Sequence, residues 1–169
     1  MRLPAILDDL SGPTTPLGTA WELVTDGVMG GVSSGALRRE EVAGRPARRM
    51  TGAVRLENDG GFVQMALDLA PGGGAVDASR WAGLELDVFG NGETYGLHLR
   101  TTDCLRPWQS YRASFAAPAE WRTVHLPFAE FAPHRIEAPL RLDRVRRLGL
   151  VAIGRAFAAD LALGGLRAV

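Results

Sequence analysis

Lysine is absent from this chain: all 19 of its cationic side chains are arginine, and 19 aspartates and glutamates bring the formal net charge to zero. That balance provides no basic field of the kind non-specific nucleic-acid binding requires, so no nucleic-acid partner is expected. No arginine block resembles a membrane-surface patch either. Arginine in place of lysine fits an arginine- and alanine-rich composition, and it also supplies planar donors suited to anions. Cysteine occurs once, at Cys104, which excludes an intrachain disulfide and a thiolate zinc cluster. The three histidines (His98, His125, His134) form no i, i+4 pair and no H-E-x-x-H, so no metal and no other cofactor is expected. No apolar run approaches the ~18 residues of a membrane-spanning helix. The opening MRLPAILDDLSG is broken by Pro4 and ended by Asp8 and Asp9, too short for a secretory signal. A reducing, cytoplasmic setting is the expectation.

What is present suits a folded chain. Hydrophobic residues make up 46% and charged residues 22% of 169, enough to bury a core without metal or disulfide. One domain over 1–169 is expected, with its core over residues 18–169. The dominant pattern is alternation. Val63, Met65, Leu67 and Leu69 share one face; Leu84, Leu86 and Val88 share another; Tyr95, Leu97, Leu99 and Thr101 a third. Tyr111, Ala113 and Phe115 alternate with Ser110, Arg112 and Ser114, and Val124, Leu126 and Phe128 with Thr123 and His125. Period two means half-buried antiparallel strands. Turn signals at Asn58–Gly61, Pro71–Gly74, Gly90–Gly92 and Ala117–Ala119 cut the middle of the chain into short segments. Two further strands are expected near the end of the chain, and helical turns over Gly35–Val42 and Leu142–Arg147. The pattern predicts an all-β, antiparallel jelly-roll sandwich of about eight to ten strands.

Catalytic patterns are few. Gly31-Val32-Ser33-Ser34-Gly35 matches G-x-S-x-G, with Asp87 and His98 following in triad order. That motif needs a strand before it and a helix after it on a sheet with crossover helices, which this chain lacks. A Gly/Ser turn between strands fits better, and the protein is not expected to be an enzyme. Gly90-Asn91-Gly92 with Gly96 is wrongly spaced for a dinucleotide loop. Polar strand faces offer more. His98 and Arg100 share one face of one strand, Arg112 lies between Ser110 and Ser114 on another, and Trp108 precedes it in TTDCLRPWQS. Together with Tyr111, these residues are the candidate ligand- or partner-binding set, since aromatic area plus directional arginine donors suits peptide or carbohydrate.

The segment WELVTDGVMGGVSSG (Trp21 to Gly35) resembles the complex I intermediate-associated protein 30 family. So do LENDGGFVQM (Leu56 to Met65), WAGLELDVFGNGETYGLHLRT (Trp81 to Thr101), SYRASF (Ser110 to Phe115), WRTVHLPFAEFAP (Trp121 to Pro133) and LGLVAIGR (Leu148 to Arg155), in order along the chain. The resemblance implies a galactose-binding-like sandwich and a non-enzymatic assembly role, with a protein partner among the subunits of respiratory complex I (NADH:ubiquinone oxidoreductase). The same fold implies an alternative, a carbohydrate-binding domain with a glycan on the face around His98 and Arg100. Trp21, Asp26, Gly27, Met29, Gly30, Gly31, Ser33, Gly60, Gly61 and Phe62 form the signature, read as architecture. Asp26 is expected to hold main-chain N–H groups and Met29 to plug an apolar gap.

Overall fold

The computed structural model describes Met1–Val169. It contains twelve strands, five one-turn 3₁₀ segments and no α-helix, hence no helix long and apolar enough to cross a membrane. In chain order the strands are β1 (Ile6–Asp8), β2 (Glu22–Thr25), β3 (Ser34–Val42), β4 (Arg45–Val54), β5 (Phe62–Asp68) and β6 (Gly83–Phe89). They continue as β7 (Glu93–Thr101), β8 (Ser110–Ala117), β9 (Arg122–Pro127), β10 (Ala132–His134), β11 (Val145–Ile153) and β12 (Phe157–Ala168). Two antiparallel sheets result, ordered β3-β4-β12-β6-β9 and β10-β8-β7-β11-β5-β2, with β1 joining the first through the end of β12. The expected all-β jelly-roll sandwich is the fold.

Alternation builds the layers. Met65 and Leu67 of β5, Tyr95, Leu97 and Leu99 of β7 and Leu148 and Leu150 of β11 pack against Met50, Leu84, Leu86, Leu161 and Leu163 of the first sheet. Each large side chain removed from water contributes about 1.5–3 kcal/mol. In β12 the count slips at Gly164 and Gly165, where the pairing with β6 shifts register. This bulge lets Leu163 and Leu166, three residues apart, both face the core. Gly164 lies beneath Trp121, whose ring would be 2.8 Å from a Cβ there.

Residues 35–42, read as a helical turn, instead form β3, paired over nine residues with β4. The run Ala-Leu-Arg-Arg-Glu-Glu favours helix in isolation, but pairing across the hairpin overrides a preference of a few tenths of a kcal/mol per residue. The Ala43-Gly44 turn has both residues at positive φ (44° and 82°), the twist that matches a two-residue hairpin. Of residues 142–147, only Leu142–Arg144 makes a 3₁₀ turn, and the rest begin β11.

A charge pair lies inside the sandwich. Arg48 points inward from β4 and grips Asp8 of β1 through Nε (2.9 Å) and a terminal amine (3.1 Å), and neither side chain is more than 5% exposed. Asp8 also accepts from the indole of Trp21 (2.8 Å) and the amide of Leu10 (3.0 Å), and Arg48 donates to the Gly12 carbonyl (2.8 Å). Every strong donor meets an acceptor, as a buried pair requires. The pair fastens the first thirteen residues to the body of the fold.

A second buried carboxylate organises the signature segment. Asp26 opens a 3₁₀ turn after β2, and its side chain accepts from the Ser33 amide (2.9 Å), the Ser33 hydroxyl, the Gly61 amide (2.6 Å) and the Phe62 amide (3.3 Å). The Ser33 hydroxyl in turn accepts from the Arg55 amide (2.9 Å). One side chain thus joins the ends of β2 and β5 in the second sheet to the β3–β4 hairpin in the first. The glycines follow from this. A Cβ on Gly31 would lie 2.4 Å from the Asp26 carboxyl carbon, and one on Gly60 2.6 Å from its oxygen. Gly30 has φ 84° and open space around it, so it answers a backbone need. The expectation for Met29 fails: it is 58% exposed, because the turn projects away from the core.

Burial pushes the Asp26 carboxyl up, and the hydrogen bonds from Ser33, Gly61 and Phe62 outweigh it and hold the group below the usual 3.8. A carboxyl lowered in the folded state stabilises fully above its unfolded pKa and loses that contribution as pH falls through the folded value. Asp26→Asn turns an acceptor into a donor facing these N–H groups and is expected to cost on the order of 3 kcal/mol in urea unfolding at neutral pH. The deficit relative to the wild type should begin to shrink as pH falls below the ordinary carboxyl value of 3.8 and vanish as it passes the lower folded-state value. Gly31→Ala should destabilise more than Gly30→Ala; the reverse order would contradict the steric assignment.

The open face of the second sheet as candidate functional site

The outward face of the second sheet carries the unused polar chemistry. Register places His98 of β7 opposite Arg112 of β8 and Gly149 of β11, and Gly149 opposite Ala66 of β5. One row along, Ser114 faces Gly96, and Gly96 faces Val151. Small residues at Ala66, Gly96 and Gly149 keep the floor low. A Cβ on Gly96 would be 3.1 Å from His98 Nε2, so the imidazole lies across that glycine. The result is a depression of about 460 Å³ with His98, Arg112, Ser114, Glu130, Ile153 and Arg155 around it, a volume suited to a ligand or a few side chains.

The expected residues separate. His98 and Arg112 stand together in the cleft. Arg112 donates from Nε to the Ser110 hydroxyl (2.9 Å), and its terminal amines have no acceptor in the protein. Arg100 shares the face, but its guanidinium donates to the carbonyls of Pro107 (2.7 Å), Cys104 (3.3 Å) and Gln109 (3.4 Å). It therefore shapes the 104–109 loop and is not free for a ligand. Trp108 rides on that loop, 52% exposed. Tyr111 is the correction: alternation turns it inward, fully buried, with its hydroxyl on the carbonyls of Ala138 (2.7 Å) and Pro139 (3.2 Å). It belongs to the core.

Glu130 and Arg155 went unnoticed in the sequence because they lie on connections, where no alternation marks a face. His134 was weighed only as a metal ligand, and Arg135 not at all, because β10 has only three residues and shows no alternation. The G-x-S-x-G reading also has its answer. The Ser33 hydroxyl is buried against Asp26. Asp87 belongs to the first sheet, bound by Arg45, Arg167 and Thr123, and His98 to the second. No Ser-His-Asp set is brought together. Nor does any group of three His, Cys, Asp or Glu side chains converge as metal ligands would.

Burial, then the charges of Arg112 and His134, lowers the His98 pKa to about 3. The imidazole is neutral at ordinary pH, with one N–H donor and one bare nitrogen, and no protein group engages either. Burial, then Arg135, also lowers Arg112, which remains charged throughout.

This architecture is that of galactose-binding-like jelly-roll modules. The family 11 carbohydrate-binding module from Clostridium thermocellum, solved in complex with a β-1,3-1,4-mixed-linked tetrasaccharide, superposes with a TM-score of 0.75 at 13% identity, covering 98% of this chain and 94% of that one. The family 30 module of a cellulosomal cellulase from the same organism gives 0.61 at 17% identity, covering 100% and 94%. At such identities the likeness concerns the fold. The family model for complex I intermediate-associated protein 30 matches residues 11–163, and the chain belongs to that family. No curated protein matches the chain significantly.

Because its folded pKa lies below the unfolded value, His98 destabilises the fold as pH falls from about 6.5 toward 3. Its ring proton resonances should stay at neutral-imidazole positions between pH 5 and 8. A titration midpoint near 6.5 in the folded protein would contradict the buried geometry.

Proposed function

We propose that the protein is a non-enzymatic binding module that takes part in assembling respiratory complex I, holding a protein partner on the open face of its second sheet. The observation that carries this reading is the family match over residues 11–163. The cleft supports it: it offers hydrogen-bonding groups without an assembled catalytic set, and such a surface binds without reacting. The single buried, unpaired Cys104 suits the cytoplasmic setting expected from the sequence.

Carbohydrate binding is the second reading, favoured by the likeness to the family 11 and family 30 modules. The cleft chemistry favours it less. Sugar rings stack on exposed aromatic faces, whereas the only ring the cleft presents is the imidazole of His98. Tyr95, although at the cleft, turns its side chain into the core at 1% exposure.

Affinity capture with the tagged protein from membranes of its host, solubilised in mild detergent, tests the first reading. Complex I subunits should be enriched over a capture with an unrelated sandwich domain; recovery of unrelated proteins only would count against it. A glycan array separates the second: binding abolished by His98→Ala would move the conclusion to carbohydrate.

A further inference from the structure

We propose that the corner of the cleft formed by Arg112, His98, His134 and Arg135 recognises carboxylates, and that its occupant is an acidic segment of a partner polypeptide. This rests on the protein-binding reading and adds the chemistry of the partner.

Strand order sets the corner. β8 lies between β7 and β10, so Arg112 has His98 opposite it on one side and Ala132 on the other, with His134 one row along, opposite Ser110. Arg135 follows at the end of β10. Four nitrogen-rich residues are therefore neighbours, His98 and Arg112 in the cleft, where Glu130 is the one carboxylate, and His134 and Arg135 beside it at the edge strand. Burial first, then the charges of Arg112 and Arg135, holds His134 below the usual histidine range.

Several arginines elsewhere on the protein are answered by carboxylates. Arg147 is paired with Asp68 and Glu22, Arg155 with Glu93, and Arg144 with Asp103. On the opposite sheet Arg49 holds Asp160 and Glu40, and Arg167 holds Asp87 and Glu85. Arg112 has no carboxylate partner, is partly buried and is pre-oriented, its Nε fixed on Ser110; Arg146, also half-buried without a carboxylate, leaves its Nε buried with no acceptor. A guanidinium held in this way binds carboxylate bidentately with less entropy to lose, and partial burial reduces screening. Neutral His98 can donate a further N–H to the same anion.

The setting selects a polypeptide. The loop clamped by Arg100 exposes Leu105 (83%) and Trp108 (52%), and Gln109 donates from it to the Arg135 carbonyl (3.2 Å), tying loop to corner. Exposed tryptophan beside arginine is the composition of a protein-binding hot spot, and Leu105 adds apolar area next to it. Glu130, unpaired, is the one carboxylate lining the cleft and opposes a second anion there.

Titration calorimetry with hexaglutamate, hexalysine and hexagalacturonate, at low and at physiological salt, tests the proposal. Hexaglutamate should bind and weaken with salt, and hexalysine should not bind. Arg112→Gln should lower hexaglutamate affinity about tenfold, and Arg135→Gln less, with melting curves like the wild type. Glu130→Gln should raise it about two- to threefold. Absence of hexaglutamate binding, equal binding by Arg112→Gln, or tighter binding of hexagalacturonate than of the peptide would overturn the assignment. Capture of complex I subunits undiminished by Arg112→Gln would overturn this inference alone. Hexaglutamate binding with no such subunit captured would support the corner and count against the assembly reading.

Discussion

The Asp26 carboxylate is the constraint on which this fold turns. An ionised group out of contact with water is tolerable only if its lone pairs are filled, and here three main-chain N–H groups and a hydroxyl fill them. The donors come from segments that are distant in sequence and belong to different sheets, so satisfying one side chain sets how the sheets meet at that end. Gly31 and Gly60 are then required because backbone must approach the carboxylate more closely than any Cβ allows. Ser33 is fixed as a structural hydroxyl, which removes the nucleophile that its G-x-S-x-G setting suggests. At the other end of the amino-terminal half, the Asp8–Arg48–Trp21 network does comparable work.

Such a frame leaves the two outer faces free to differ. The first sheet covers its outward face with mutually satisfied charges: Asp87 takes Arg45 and Arg167, and Asp160 takes Arg49. The second keeps a low floor of Ala66, Gly96 and Gly149, and there the His98 imidazole and the terminal amines of Arg112 have no protein partners. An arginine that has found a carboxylate contributes solubility and a little stability, whereas Arg112, fixed by Ser110, keeps its terminal amines unpaired. The carboxylate corner rests on this asymmetry, and the proposed function on the family match.

Much of the fold could be read from the sequence because period-two alternation directly reports which side of a sheet is dry. The same rule, applied strictly, places Tyr111 in the core, since its neighbours Ser110 and Arg112 face outward; its hydroxyl suggested a ligand contact that is in fact made to Ala138 and Pro139. The β3–β4 hairpin was hidden by helix-favouring residues on an edge strand and by the inward charge of Arg48, whose partner lies forty residues away. Ion pairs and loop clamps of this kind carry no local signature, so the role of Arg100 and the neighbourhood of Arg112 emerge only with strand order. The signature glycines were read as architecture, and the close contacts of Gly31 and Gly60 to one carboxylate are something spacing does not disclose.

The central claim is that the open face of the second sheet is the binding surface and the buried carboxylates are its frame. Amide hydrogen exchange, measured on the protein alone and with its captured partner bound, tests this most directly. Added protection should map to residues 94–98, 104–114 and 130–135, with β3, β4 and β12 unchanged. Protection centred on the first sheet, or on the exposed turn at 27–32, would contradict the account.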